Sequence, residues 1–234
     1  MSQPASFLRS SLGRKVIMAF TGVILFGFVI GHMVGNLQVY QGPEKLNAYA
    51  ETLRHFGPLL WLVRLVLLAT VALHIWAAAS LTRSNLSARA VGYDRFQPQS
   101  STYASRTMRW SGVILLLFIV YHLLHFTFGT RAVHPQFVPG DVYHNFITGF
   151  QNPLVSFFYI LSMLALGLHL YHGAWSILQT VGLSHPRLDR VRYGLAAAIT
   201  AIIVLGNISM PVAVMAGLLR DERSAPASAM RAGS

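Results

Sequence analysis

The chain contains no cysteine. Disulfides, thiolate-held iron–sulfur clusters and thioether-linked cofactors are therefore excluded within it. Charge is also scarce: 11% of the 234 residues are charged, against roughly 25% in an ordinary soluble domain. Acid is scarcer still, with seven Asp+Glu against 18 Lys+Arg and a net charge of +11. None of the seven falls inside a long apolar run. That absence argues against a proton-relaying transporter, which needs buried counter-ions, and no inverted repeat is present either. No basic patch is interleaved with aromatics on a polar surface, so the positive charge does not read as a nucleic-acid footprint. The basic residues sit between apolar runs, where membrane topology and lipid headgroups account for them.

What the chain has instead is apolar length, with 54% hydrophobic residues. Five runs are long enough to cross a bilayer, which needs about 20 residues. They cover about 16–39, 59–81, 108–128, 154–181 and 193–219, giving an all-α integral membrane bundle of five transmembrane helices as a single membrane domain, 1–234. The first run is too long for a signal-peptide core and lacks a small-x-small cleavage site, so it reads as a retained span. Leu46–Phe56 reads as a short polar helix, ended by Gly57-Pro58. Residues 129–151 read as a polar loop, and the tail 220–234 as loosely ordered. Arg64 lies in the first turns of the second span, where it can snorkel, and Pro211 is expected to kink the fifth. Five spans put the termini on opposite sides. Eleven Lys+Arg fall on the side of the N-terminus and seven on the other, which places the N-terminus in the cytoplasm.

Four of the spans carry histidine deep within them: His32, His74, His122 with His125, and His169 with His172. A polar ring in hydrocarbon must find a partner. At about 1.5 Å per residue, His32 and His122 lie roughly 24 and 21 Å from the inner side, while His74 and His169 lie roughly 10 and 18 Å from it. The histidines thus form an outer and an inner pair. Such an arrangement suits two stacked bis-histidine haems, which leave no open axial position and carry electrons. Depth does not separate His122 from His125, and slightly favours His172 over His169 as the partner of His74. Gly27, Gly31 and Gly35, four residues apart, and Gly112, Gly167 and Gly173 allow close approach of helices or of a flat macrocycle. His55, His134, His144 and His185 fall in loops, where solvation is expected.

Four motifs, one per span and in order, carry a resemblance: Phe28-Val-Ile-Gly-His-Met33, Ala72-Leu-His-Ile-Trp-Ala77, Val120-Tyr-His-Leu123 and Leu168-His-Leu-Tyr-His-Gly-Ala-Trp-Ser176. Over about residues 10–220 the chain resembles the cytochrome b membrane-anchor subunit of bacterial succinate dehydrogenase and fumarate reductase, in its five-helix, single-chain, two-haem form. The resemblance implies two haem b groups, with His74 and His169 as ligands of the inner and His32 and His122 of the outer. It implies an iron–sulfur subunit docked on the cytoplasmic face, an FAD flavoprotein subunit that oxidises succinate, and a membrane quinone, menaquinone rather than ubiquinone, all in a bacterial inner membrane. Arg14, Lys15, Arg83, Arg106 and Arg109 are placed to meet the iron–sulfur subunit or haem propionates, although topology alone accounts for each. Glu51 with His55, one turn apart near Glu44 and Tyr49, is the expected site of quinone proton exchange. Some fumarate reductases of this type carry a glutamate two residues before the last haem histidine. Here that position is Gly167, which leans toward succinate oxidation. The alternatives are a di-haem cytochrome b of a hydrogenase, formate dehydrogenase or ferric reductase, and the proton-relaying transporter.

Overall fold

The computed structural model describes residues 10–87, 103–180 and 185–221. Arg9, Arg89, Arg95 and the tail beyond Asp221, all part of the sequence reading, lie outside the described residues. Among the described residues there are seven α-helices and no strand. They are α1 (Ser11–Asn36), α2 (Pro43–His55), α3 (Pro58–Ser87), α4 (Tyr103–His122), α5 (Val142–Phe150), α6 (Pro153–Thr180) and α7 (Asp189–Met215). A 3-10 turn (Leu37–Gln41) extends α1, and a π-helical turn (Leu123–Thr127) extends α4.

Five helices, α1, α3, α4, α6 and α7, are long and apolar enough to cross a membrane. Large apolar side chains cover their outsides: Phe20 is 67% exposed and Trp61 62%. Such surface is not tolerated in water and is what a bilayer accepts. Arg64 lies over the Trp61 ring at 4.9 Å, a cation–π contact that also carries its charge toward the end of α3. α3 runs six residues past its expected end, through Thr82-Arg83-Ser84-Asn85-Leu86-Ser87, because polarity ends a span without ending a helix. Pro211 lies inside α7, where its missing N–H leaves the Asn207 carbonyl without its helical donor.

The chain divides into two compact units. The first comprises residues 1–31, 57–108 and 168–200. The second comprises 32–56, 109–167 and 201–234, and its core is Val39, Leu46, Tyr143, Phe146, Ile147, Phe150, Tyr159, Met210 and Val214.

The stretch 129–151 is not simply a polar loop. It folds into α5, and from Tyr143 to Phe150 every residue except His144 is buried. Asp141 caps the helix by accepting from the His144 backbone N–H at 3.1 Å. The same carboxylate accepts from Asn47 Nδ2 at 3.0 Å, and Asn47 Oδ1 accepts from the Tyr143 N–H at 3.0 Å, which ties α2 to α5. Pro43 starts α2 at a first-turn position that needs no N–H donor. Gly129 turns the chain out of the π-helical turn at φ 57°, and a Cβ there would lie 2.1 Å from the Phe137 ring, so only glycine fits.

Candidate functional site

The second unit brings His32 of α1 and His122 of α4 together, with ring centres 5.7 Å apart and planes at 89°. The first unit brings His74 of α3 and His169 of α6 together at 6.2 Å and 59°. Two imidazoles bound to one iron through bonds of about 2 Å have ring centres about 6 Å apart. Both pairs meet that spacing. Among the described residues no group of three or more His, Asp or Glu could hold a metal. Each pair instead offers two imidazoles.

Neighbouring hydroxyls set the tautomers. Thr21 Oγ1 donates to the Ile17 carbonyl at 2.7 Å, so its lone pair faces His74 Nδ1 at 3.0 Å. His74 therefore donates from Nδ1 and keeps Nε2 free as a ligand, the usual support of a metal-bound histidine. The Tyr159 hydroxyl lies between two rings, 3.3 Å from His122 Nδ1 and 2.9 Å from His125 Nδ1. One phenol can accept from His122 and donate to His125 at the same time. His122 then also presents Nε2. His172 Nδ1 and Trp175 Nε1, within two turns of His169 on α6, are buried without a hydrogen-bond partner among the described residues. Buried donors and acceptors are rarely left so unless another group meets them.

The choice left open between neighbouring histidines has a structural counterpart. His125 is 1% exposed and sits in the π-helical turn, enclosed by Phe126, Tyr159 and His134. A Cβ on Gly149 would come within 3.0 Å of its ring, so α5 also packs directly on it. His172 packs edge-on against Trp175 at 5.1 Å. The rings opposite His32 and His74 are those of His122 and His169.

Two loop histidines are not solvated. His134 is 2% exposed, and its Nδ1 donates to the His125 carbonyl at 3.3 Å. Its Nε2 faces the Thr148 hydroxyl at 3.1 Å. Burial lowers its pKa from the ordinary histidine value. The His125 carbonyl opposes that shift, and the nearby His144 adds to it. His144 pairs with Asp221 at 2.6 Å and donates from Nε2 to the Gln136 carbonyl at 3.1 Å. His55 and His185 are exposed as expected.

Glu51 and His55 lie on the exposed side of α2, joined by His55 Nδ1 donating to the Glu51 backbone carbonyl at 2.9 Å rather than through the carboxylate. Tyr49 packs where a Cβ on Gly35 would be, 2.6 Å from the hydroxyl, so α2 lies tightly on the end of α1. Among the described residues, nothing lies within 4 Å of such a Cβ on Gly27, Gly31 or Gly173. Lys15, Arg106 and Arg109 are exposed, whereas Arg14 is half-buried. Sequence reasoning missed Thr21, Tyr159 and His134. A hydroxyl inside an apolar span opposite a histidine-bearing span was the available signal for the first two.

Spanning helices that carry opposed histidine pairs define a multi-pass membrane protein with two paired-imidazole sites. Over residues 87–218 the chain matches the family described as succinate dehydrogenase/fumarate reductase transmembrane subunit. The chain belongs to that family. No curated protein and no solved structure matches it.

Proposed function

We propose that this chain is the haem-bearing membrane anchor of a succinate:quinone oxidoreductase, carrying electrons between an iron–sulfur subunit and a membrane quinone. The observation that carries the reading is the pair of opposed imidazoles in each unit, His32 with His122 and His74 with His169, each at the spacing of two ligands on one iron. Haem b held by His32 with His122 and by His74 with His169 would supply one-electron chemistry there. The chain's own part is to hold the ligands. Thr21 fixes the His74 ring, Tyr159 fixes the His122 ring, and the apolar helices exclude water.

Succinate chemistry belongs to other subunits, since the sequence contains neither cysteine nor a dinucleotide fingerprint. An iron–sulfur subunit and an FAD flavoprotein dock on the cytoplasmic face. The N-terminus and the larger share of Lys+Arg mark that face, in a bacterial inner membrane. The quinone is menaquinone. Glu51 and His55, exposed on α2 in the second unit, exchange its protons.

The test is to express the chain with a flavoprotein and an iron–sulfur protein of the succinate dehydrogenase type, purify the complex and follow b-haem absorbance on adding succinate. Reduction by succinate and reoxidation by a menaquinone analogue are expected, as is loss of both in a His74→Ala complex. A complex that reduces quinone at full rate in that variant contradicts the reading.

A further inference from the structure

A cavity of about 290 Å³ lies between α1 and α3 in the first unit, lined by Arg14, Trp76, Ala79, Ser80, Arg83 and Ser84. The histidine pairs do not use it, and its Arg14 and Arg83 were placed by the sequence only as candidate contacts of an iron–sulfur subunit or of haem propionates. Its α3 residues follow a helical stripe, 76, 79, 80, 83 and 84. His74 belongs to another stripe, with Thr70, Ala77 and Leu81, about a third of a turn round the helix. The cavity therefore flanks the histidine face of α3.

Arg14 is built into the wall. It donates from one guanidinium nitrogen to the Ser80 carbonyl at 3.1 Å and to the Ser84 hydroxyl at 2.7 Å. Arg83 makes no hydrogen bond or ion pair among the described residues. Among the described residues, two guanidinium groups and two serines converge without a carboxylate. By sequence the first unit holds eleven Lys+Arg, with only Asp94 and Asp189 as acids, and Asp189 is paired with Arg192. A planar guanidinium with free donors is suited to a phosphate oxygen.

The surroundings specify the rest of the ligand. α3 has 30 residues, about 45 Å, against a hydrocarbon core of about 30 Å. Its last turns, with Ser80, Arg83 and Ser84, therefore stand at headgroup level. Toward the bilayer centre the same stripe becomes apolar and exposed at Ala69, Ala72 and Leu73. The Trp76 ring lies between the two zones, where indole is favoured. A free anion uses only the polar end, whereas a phospholipid uses both. We propose that this cavity is a site for the phosphate of an anionic phospholipid, gripped by Arg83 and Arg14, with its acyl chain along the Leu73 stripe. The assignment rests on the membrane reading and is independent of the haem reading.

The test titrates the purified full chain with phosphatidylglycerol, phosphatidylcholine and inorganic phosphate, counting bound lipid by native mass spectrometry. Arg83→Gln is the cleanest variant, because Arg83 makes no hydrogen bond or ion pair among the described residues. Arg14→Gln is the second, and Arg64→Gln removes the same charge at the opposite end of α3. The site predicts preference for phosphatidylglycerol, weakened about fivefold by each of the first two changes and unchanged by the third. Any haem absorbance should stay the same throughout. Equal loss in all three variants would reduce the effect to bulk surface charge. Competition by inorganic phosphate as strong as by the lipid would make it a free-anion site. A shifted haem spectrum in Arg83→Gln with lipid binding intact would make it a propionate anchor. Each of these results overturns the proposal.

Discussion

Thr21 and Tyr159 each hold one imidazole by Nδ1 and leave Nε2 to the ligand position. An acceptor at Nδ1 makes a ligating imidazole more basic and favours oxidised iron. Thr21→Val should therefore leave the haem at His74 and His169 bound while raising its midpoint potential by tens of mV, since about 59 mV corresponds to tenfold for one electron. A redox titration of the purified chain measures this, and an unmoved potential means that the hydroxyl only fills space. His134 gives a second test. Burial lowers its pKa in the folded chain, so the unfolded chain takes up its proton first. Its share of stability is present above about pH 6.5 and is lost as pH falls through that value toward the lowered one. Thermal melts from pH 8 to pH 5 should show a fall that His134→Gln makes shallower. An identical slope in the variant removes His134 from the account. The four histidine-bearing spans were legible in the sequence because an imidazole in an apolar span has no local way to satisfy itself, whereas the choice of His122 over His125 and of His169 over His172 came from the resemblance alone. Thr21 was not, because a threonine in a helix can always bond the carbonyl one turn back, as this one also does.

At the scale of elements, the five spanning helices were legible because each needs a long apolar run and has one. α5 was not. Nine residues are too few to cross a membrane, and the flanking Pro139-Gly140 and Asn152-Pro153 pairs made the whole region look like loop. The signal was Val142-Tyr-His-Asn-Phe-Ile-Thr-Gly-Phe150, which is apolar on most sides and follows an Asp cap, as befits a short buried helix. Asn47 is what joins this helix to α2, through both ends of its amide. Asn47→Ala should cost about 1–3 kcal/mol, because it removes the amide donor to the Asp141 carboxylate and the acceptor of the Tyr143 N–H. Asp141→Ala should cost a similar amount, and the double variant less than the sum. Denaturation in detergent measures the cycle, and strict additivity would show that the two residues act separately. The same packing explains the burial of His125, since α5 presents Gly149 to its ring.

At the scale of the whole molecule, few charges and five long apolar helices describe a chain that stays in the membrane, and under the function proposed above it leaves substrate chemistry to other subunits. Membership of the succinate dehydrogenase/fumarate reductase transmembrane family accords with that division. The pairing makes a specific demand. Loss of either histidine of a pair should abolish the same haem and leave the other, so His32→Ala should resemble His122→Ala, and His74→Ala should resemble His169→Ala. His125→Ala and His172→Ala should keep both haems, since neither ring is the one found opposite His32 or His74. The measurement that tests the central claim most directly is a dithionite-reduced minus oxidised spectrum of the purified full chain, with pyridine haemochrome quantification. The account predicts two b-type haems per chain. A folded, membrane-inserted chain with no haem, from cells supplied with enough of it, would contradict it and return the opposed histidines to helix packing.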